Sequence, residues 1–357
     1  MIEQQRKHNF SAGPSILPQE VFRQAADAVL DFNGMGLSLL EISHRSKDFV
    51  AVMDEARAIV KRLMNLNDDY EVLFLQGGAS LQFVMLPFNL MKKEGGKAAY
   101  LDTGVWAAGA IKEAKRFGTV DIVGSSKEEN YSFIPKGYTV DPSYDYFHCT
   151  SNNTIYGTQM HEFPKVDVPM VCDMSSDIFS EERDYSRFDL IYAGAQKNMG
   201  PAGATLVVVK KDILGKTNRD IPSYLDYQLH IKKESMFNTP PVFSVYTSLL
   251  TLQYLEKNGG IAAVEKQNKA KAKLLYDEID RNPNFEGFAK KEDRSLMNVS
   301  FLLTDESKKE RFDNAWKEAG ISGLNGHRTI GGYRASIYNA MPIESVQLLV
   351  DVMKSID

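Results

Sequence analysis

Between about residue 18 and residue 210, short apolar runs alternate with stretches of helical period, and this alternation constrains the fold more than any other feature. Apolar runs at 71–75, 98–101, 119–123, 144–149, 168–172, 189–193 and 204–209 read as strands. Residues 18–31, 49–64, 81–91 and 105–117 read as helices. Strands and helices taking turns predict an α/β fold with a mostly parallel seven-stranded sheet. The run Leu206-Val207-Val208-Val209 suits a strand buried on both faces. Ligands of such sheets bind beyond the carboxyl ends of the strands.

From residue 242 the pattern changes. A helix is expected over 242–257, the pair Gly259-Gly260 interrupts it, and a long helix follows to about residue 279. Strands at 296–303 and 334–338, with helices at 306–318 and 342–356, predict a smaller α+β domain over 259–357. The large domain is then 17–258.

Composition narrows the function. The chain has 357 residues and a formal net charge of −5 with no basic stripe, which argues against nucleic acid as a partner. No apolar run approaches 18 residues, so no membrane span is expected. The first residues are polar and lack a signal-peptide core, and both cysteines, Cys149 and Cys172, fall in apolar runs. A cytoplasmic protein with buried free thiols is the expectation. No metal site is expected.

The stretch Gly194-Ala195-Gln196-Lys197-Asn198 places a lysine between two buried runs. A lysine beside a core is either a turn residue or an amine whose pKa burial has lowered for nucleophilic work. Upstream, the run ending in Cys172 stops at Asp173. A Schiff-base lysine and an aspartate for a pyridinium nitrogen are the two anchors of pyridoxal phosphate chemistry. Gln76-Gly77-Gly78-Ala79-Ser80 joins a strand to a helix. It is either a phosphate cradle at a helix N-terminus or a turn capped by Ser80. Trp106 opens a helix at the same rim, as a ring-stacking surface or as core. Ser151-Asn152-Asn153-Thr154 offers hydroxyl and amide groups to a ligand, or caps a turn. Asn238-Thr239 precedes two prolines, as a polar corner or a helix cap. His44-Arg45, His327-Arg328 and Arg334 suggest an anionic substrate, because guanidinium forks match carboxylates and phosphates.

Together these segments resemble the phosphoserine aminotransferases, class V pyridoxal-phosphate enzymes of the type I fold. The resemblance runs from Asn9-Phe10-Ser11-Ala12-Gly13-Pro14 to the block 327–341. It implies the cofactor pyridoxal 5'-phosphate, bound covalently by Lys197. Asp173 would pair with the ring nitrogen, Trp106 would stack on the ring, and Thr154 would bond its 3-oxygen. Ala79, Ser80 and Gln196 would hold the cofactor phosphate, with Asn238 and Thr239 reaching it from the other subunit of a homodimer. Arg334 would take the substrate α-carboxylate. His44, Arg45, His327 and Arg328 would surround the distal anion, the last two from the neighbouring subunit. The implied reaction exchanges an amino group between phosphoserine and 2-oxoglutarate, giving 3-phosphohydroxypyruvate and glutamate, in serine biosynthesis. The resemblance leaves open a second substrate, the 4-phosphohydroxy-threonine of vitamin B6 synthesis. It also implies that residues 1–16 associate with the small domain. Some members read Gly-Gly-Gly-Arg-Gly-Gln-Phe where this chain reads Gly77-Gly78-Ala79-Ser80-Leu81-Gln82-Phe83, so no arginine can contact substrate there. A desulfurase-like lyase of the same fold is the alternative. Its chemistry needs an exposed cysteine, which two strand cysteines do not provide.

Overall fold

The computed structural model describes residues 6–356. Residues 1–5 of the expected N-terminal segment lie outside them. In chain order the first elements are β1 (His8–Asn9), α1 (Gln19–Leu30), α2 (Lys47–Leu63), β2 (Tyr70–Leu75), α3 (Gly78–Leu90), β3 (Lys97–Asp102), α4 (Val105–Ala114) and β4 (Thr119–Ser125). Next come β5 (Tyr146–Thr150), β6 (Asn152–Asn153), β7 (Thr158–Gln159), β8 (Met170–Asp173), β9 (Leu190–Gly194), β10 (Thr205–Lys210), α5 (Tyr227–Lys232) and α6 (Val242–Lys257). The last are α7 (Gly260–Arg281), β11 (Phe285–Gly287), β12 (Asn298–Leu303), α8 (Lys309–Glu318), β13 (Ile321–Ser322), β14 (Tyr333–Ser336) and α9 (Ile343–Lys354).

The seven-stranded sheet has the order β2-β10-β9-β8-β5-β3-β4, and only β10 runs against its neighbours. β5, β8 and β9 are buried along their whole length, which is why their sequences are continuous apolar runs rather than alternating ones. Edge strand β4 has no buried residue. Helices cover both faces. α2 buries Phe49, Val52, Met53, Ala56, Ile59 and Val60, a stripe of helical period, and Ser46 caps it by accepting from the Phe49 N–H at 3.3 Å.

A second core gathers Phe10 and Ile16 with Leu275, Phe301, Phe312, Tyr333 and Leu349. It lies over the three-stranded sheet β11-β12-β14. β1 pairs in parallel with β13, which ties the start of the chain to this C-terminal part.

Most elements missed by sequence reading, among them β1, β6, β7, β11 and β13, have only two or three residues, too few to show a period; the six-residue helix α5 was also missed. α3 begins at Gly78 instead of residue 81 because Gly77, at φ +87°, turns the chain directly into the helix. A Cβ on Gly77 would sit 2.5 Å from the Leu81 side chain. The expected 306–318 helix is a short 3-10 turn, Glu306–Lys308, followed by α8.

A buried polar network joins the two cores. Asn152 Nδ2 donates to Asn298 Oδ1 at 2.8 Å, and Ser295 Oγ donates to Asn152 Oδ1 at 2.5 Å. Asn298 Nδ2 reaches Ser336 Oγ and the Tyr338 hydroxyl at 3.0 and 3.1 Å, and that hydroxyl donates to the Ala12 carbonyl at 2.7 Å. Beyond β14, buried Lys271 donates from Nζ to the carbonyls of Ile337 and Tyr338 at 2.9 and 2.7 Å. Burial pushes the Lys271 ammonium down to about 7. Between about 7 and 10.5 the unfolded lysine keeps a proton that the folded one releases, so the penalty for burying Lys271 is complete below that window and fades as pH rises through it. Lys271→Met should therefore lack a rise in stability with pH that the parent protein shows. Urea midpoints of both proteins at about pH 7 and near pH 10.5 check this through their difference.

Candidate active site

The carboxyl ends of β2, β3, β5, β8 and β9 meet at one rim of the large sheet. β8 ends in Asp173, and the Lys197 loop follows β9. Asp173 is buried and accepts from the Ser175 N–H at 2.9 Å. Burial raises its pKa, while Ser175, the Lys197 ammonium and Tyr192 oppose the rise. Burial lowers the pKa of Lys197; Asp173 pulls it back up, and Arg334 pushes it further down. The two side chains thus restrain each other's neutralisation.

Lys197 Nζ lies 5.9 Å from the centre of the Trp106 ring. Trp106 is not core: it is 41% exposed, and its Nε1 donates to Thr154 Oγ1 at 3.3 Å. Arg334 NH1 donates to the Thr154 carbonyl at 3.3 Å, but its buried Nε has no partner among the described residues. Burial lowers the Arg334 pKa. Such a guanidinium can take an anion at little further desolvation cost. His327 is held low by burial and by the charges of Arg334 and Arg328, and its Nδ1 pairs with the Thr329 hydroxyl at 2.8 Å.

At the end of β2 no side chain caps α3, and Ser80 is not a cap. The first-turn N–H groups of α3, at Gly78, Ala79 and Ser80, point outward without helical partners, as a helix N-terminus requires. Gln196 folds back over the end of β9, where a Cβ on Gly194 would meet its Oε1 at 2.6 Å.

Lys197, Asp173, Trp106, Thr154, Gln196 and Arg334 come together in one chain. Other expected residues do not join them. Arg45 Nε bonds His44 Nε2 at 3.3 Å on the loop before α2, and among the described residues no hydrogen bond links either to Lys197 or Asp173. Asn238 and Thr239 are not a cap of α6, whose N-terminal residue Pro241 receives no side-chain bond. The Thr239 carbonyl instead accepts from Gln76 Nε2 at 2.7 Å. Arg328 is exposed.

Sequence reading missed the support from the N-terminal segment. Ser15 Oγ donates to the Lys197 carbonyl at 2.5 Å, and Ser15 N–H donates to the Gln196 carbonyl at 3.0 Å. Gly13 packs so closely that a Cβ there would lie 3.4 Å from Lys197 Cγ. The block Ser11-Ala12-Gly13-Pro14 of the resemblance ends just before Ser15 and carried no role.

The family model for class-V aminotransferases matches residues 7–349. A curated phosphoserine aminotransferase of Flavobacterium johnsoniae is 70% identical over 353 residues, 99% of each chain. The structure of phosphoserine aminotransferase from Bacillus circulans subsp. alkalophilus aligns with TM-score 0.95 at 42% identity, over 99% of each chain. The pyridoxal-phosphate-bound enzyme of Trichomonas vaginalis aligns with TM-score 0.92 at 36% identity, over 98% of this chain and 100% of its own. The chain belongs to the class-V aminotransferases. Within them its likeness is to the phosphoserine aminotransferases along the whole chain.

The electrostatics of the site make a testable statement about Lys197. Asp173→Asn removes the charge that raises the amine's pKa and should lower it further. Arg334→Gln removes a charge that depresses it and should raise it. The pH dependence of reductive methylation of Lys197, followed by mass spectrometry of its peptide in the cofactor-free protein, reads both shifts.

Proposed function

We propose that the protein catalyses reversible amino transfer between O-phospho-L-serine and 2-oxoglutarate, forming 3-phosphohydroxypyruvate and glutamate, as a step of L-serine biosynthesis in the cytoplasm. The observation that carries this is the full-length 70% identity to a phosphoserine aminotransferase, joined to a desolvated lysine facing a buried aspartate and an exposed indole. Pyridoxal 5'-phosphate is the cofactor, and the residues present fit it. The uncapped start of α3 offers N–H groups to a phosphate, and Gly77, at φ +87°, turns the chain so that the helix begins directly at the rim. Trp106 presents a ring face, Asp173 a buried carboxylate, and Thr154 a hydroxyl. Arg334 keeps an unpartnered Nε for a substrate carboxylate.

When bound, the cofactor supplies an electron-withdrawing ring that stabilises charge at the substrate carbon losing its proton. The chain does the rest. Asp173 would favour a protonated ring nitrogen through its charge. Lys197, whose pKa burial lowers, would anchor the cofactor and, once the substrate amine had displaced it, would be the amine placed to accept the proton of the substrate α-carbon. Arg334 fixes the α-carboxylate shared by both amino acids. His44, Arg45, His327 and Arg328 take the distal phosphate or side-chain carboxylate. We read the chain as residues 17–258 for the cofactor and 259–357 for the small domain, with 1–16 attached to the latter.

We also propose a homodimer with shared sites. Asn238, Thr239, His44, Arg45 and Arg328 carry suitable groups but are not gathered around Lys197 of their own chain. Exposed Leu30, Met35, Leu37 and Leu40 supply an apolar patch of the kind a partner covers. A lyase reading finds no support, because Cys149 and Cys172 are both buried.

Two experiments test this. Phosphoserine should far outpace serine as donor, because serine leaves the distal cations uncompensated, and Arg45→Ala or Arg328→Ala should cost roughly 2–5 kcal/mol in kcat/KM for phosphoserine. Serine rivalling phosphoserine in the parent enzyme would refute the distal-anion assignment. Lys197→Ala should abolish turnover. Mixed with Arg328→Ala after proven subunit exchange, it should regain part of the activity, since one of the two sites then carries neither defect. Absence of recovery would assign Arg328 to its own subunit's site.

A further inference from the structure

A row of polar side chains runs under the site on the α3 side of the sheet. Tyr100 of β3 lies in register with His148 of β5, their rings stacked at 4.7 Å and 23°. His148 Nε2 is 2.9 Å from the Tyr192 hydroxyl of β9. Tyr192 is in register with Asp173 of β8. His148 and Tyr192 are both fully buried. Two phenylalanines would fill this space without burying polar atoms, so core packing does not account for the pair.

The direction of the bonds follows from what has no partner. Burial holds His148 neutral, with its pKa near 3, so the ring carries one proton. Its Nδ1 has no hydrogen-bond partner among the described residues. A buried N–H without an acceptor is the rarer and costlier defect, so the proton belongs on Nε2. Nε2–H then donates to the Tyr192 oxygen, and the tyrosine O–H is free to point onward. The register places the Asp173 carboxylate on the neighbouring strand as the acceptor we assign to it, and Tyr192 favours the charged form of that carboxylate.

We propose that His148 and Tyr192 are positioning residues that donate in series to Asp173 and keep its carboxylate ionised beneath the cofactor ring. The proposal rests on the reading of Asp173 as the partner of the ring nitrogen. A less basic carboxylate leaves the shared proton on the nitrogen, where amino transfer needs it. Without Tyr192 the proton moves toward the oxygen. Neither residue touches substrate, so the effect belongs to kcat rather than KM.

The test reconstitutes the parent enzyme and its variants with pyridoxal phosphate labelled with nitrogen-15 in the ring. It records the nitrogen chemical shift beside steady-state kinetics. Tyr192→Phe should move the shift toward unprotonated pyridine and lower kcat roughly tenfold or more, with KM within about twofold. His148→Phe should move it the same way by less, and His148→Gln, whose amide N–H can donate, should restore it. A parent-like shift and kcat in Tyr192→Phe would overturn the relay. If that variant does not fold, an identical shift in His148→Phe and His148→Gln would overturn it instead. Asp173→Asn separates the two readings. A parent-like shift there would show that the nitrogen's partner lies elsewhere, whereas a moved shift in Asp173→Asn beside an unmoved one in Tyr192→Phe would condemn the relay alone.

Discussion

Everything at this site depends on holding a half-buried ammonium and a buried carboxylate close enough to sense one another. Burial drives Lys197 and Asp173 each toward its neutral form, and each resists the neutralisation of the other. Two isolated charges in such a place would simply neutralise. As a pair each offsets part of the burial penalty of the other. The parallel sheet makes the arrangement possible, because adjacent strands that run the same way deliver their terminal residues to one rim.

The pair is held from several sides. The sheet fixes Asp173 through the β5 and β9 registers, and the loop after β9 brings Lys197 over it. The C-terminal part contributes Arg334 from β14, and the Asn152–Asn298 bond fixes that part against the large sheet. The Asn152–Asn298 bond and its neighbours are buried polar contacts. They specify one relative placement more sharply than apolar packing, which tolerates sliding.

The sheet and its helices were legible because their central strands are uniformly apolar and their helices carry a clear period. Lys197 and Asp173 were legible for a related reason: a charge at the end of a buried run stands out. Trp106 was not decidable, since an indole in a core and an indole at a rim look alike in sequence; its 41% exposure resolves it. His148 and Tyr192 stayed hidden because they sit inside apolar runs, where an aromatic reads as packing. Ser15 was invisible for another reason. Its bond to the Lys197 loop spans 182 positions, and no local pattern encodes a contact of that range.

The attachment of the first residues carries a consequence for how the molecule comes into being. Ala12 takes its bond from Tyr338, 326 positions away, and β1 pairs with β13. On the ribosome the N-terminal segment emerges early; Ser15 can meet the lysine loop once that loop is made, but Ala12 and β1 have no partner until nearly all of the chain has followed. The large sheet can assemble from segments already in hand, while the full backing of the lysine loop must wait for β13 and β14. Closing so long a loop costs only a little more entropy than closing a moderate one, since that cost grows logarithmically with length. Contacts of that range nevertheless slow assembly. The chemistry is therefore completed last, once both ends of the polypeptide have found each other.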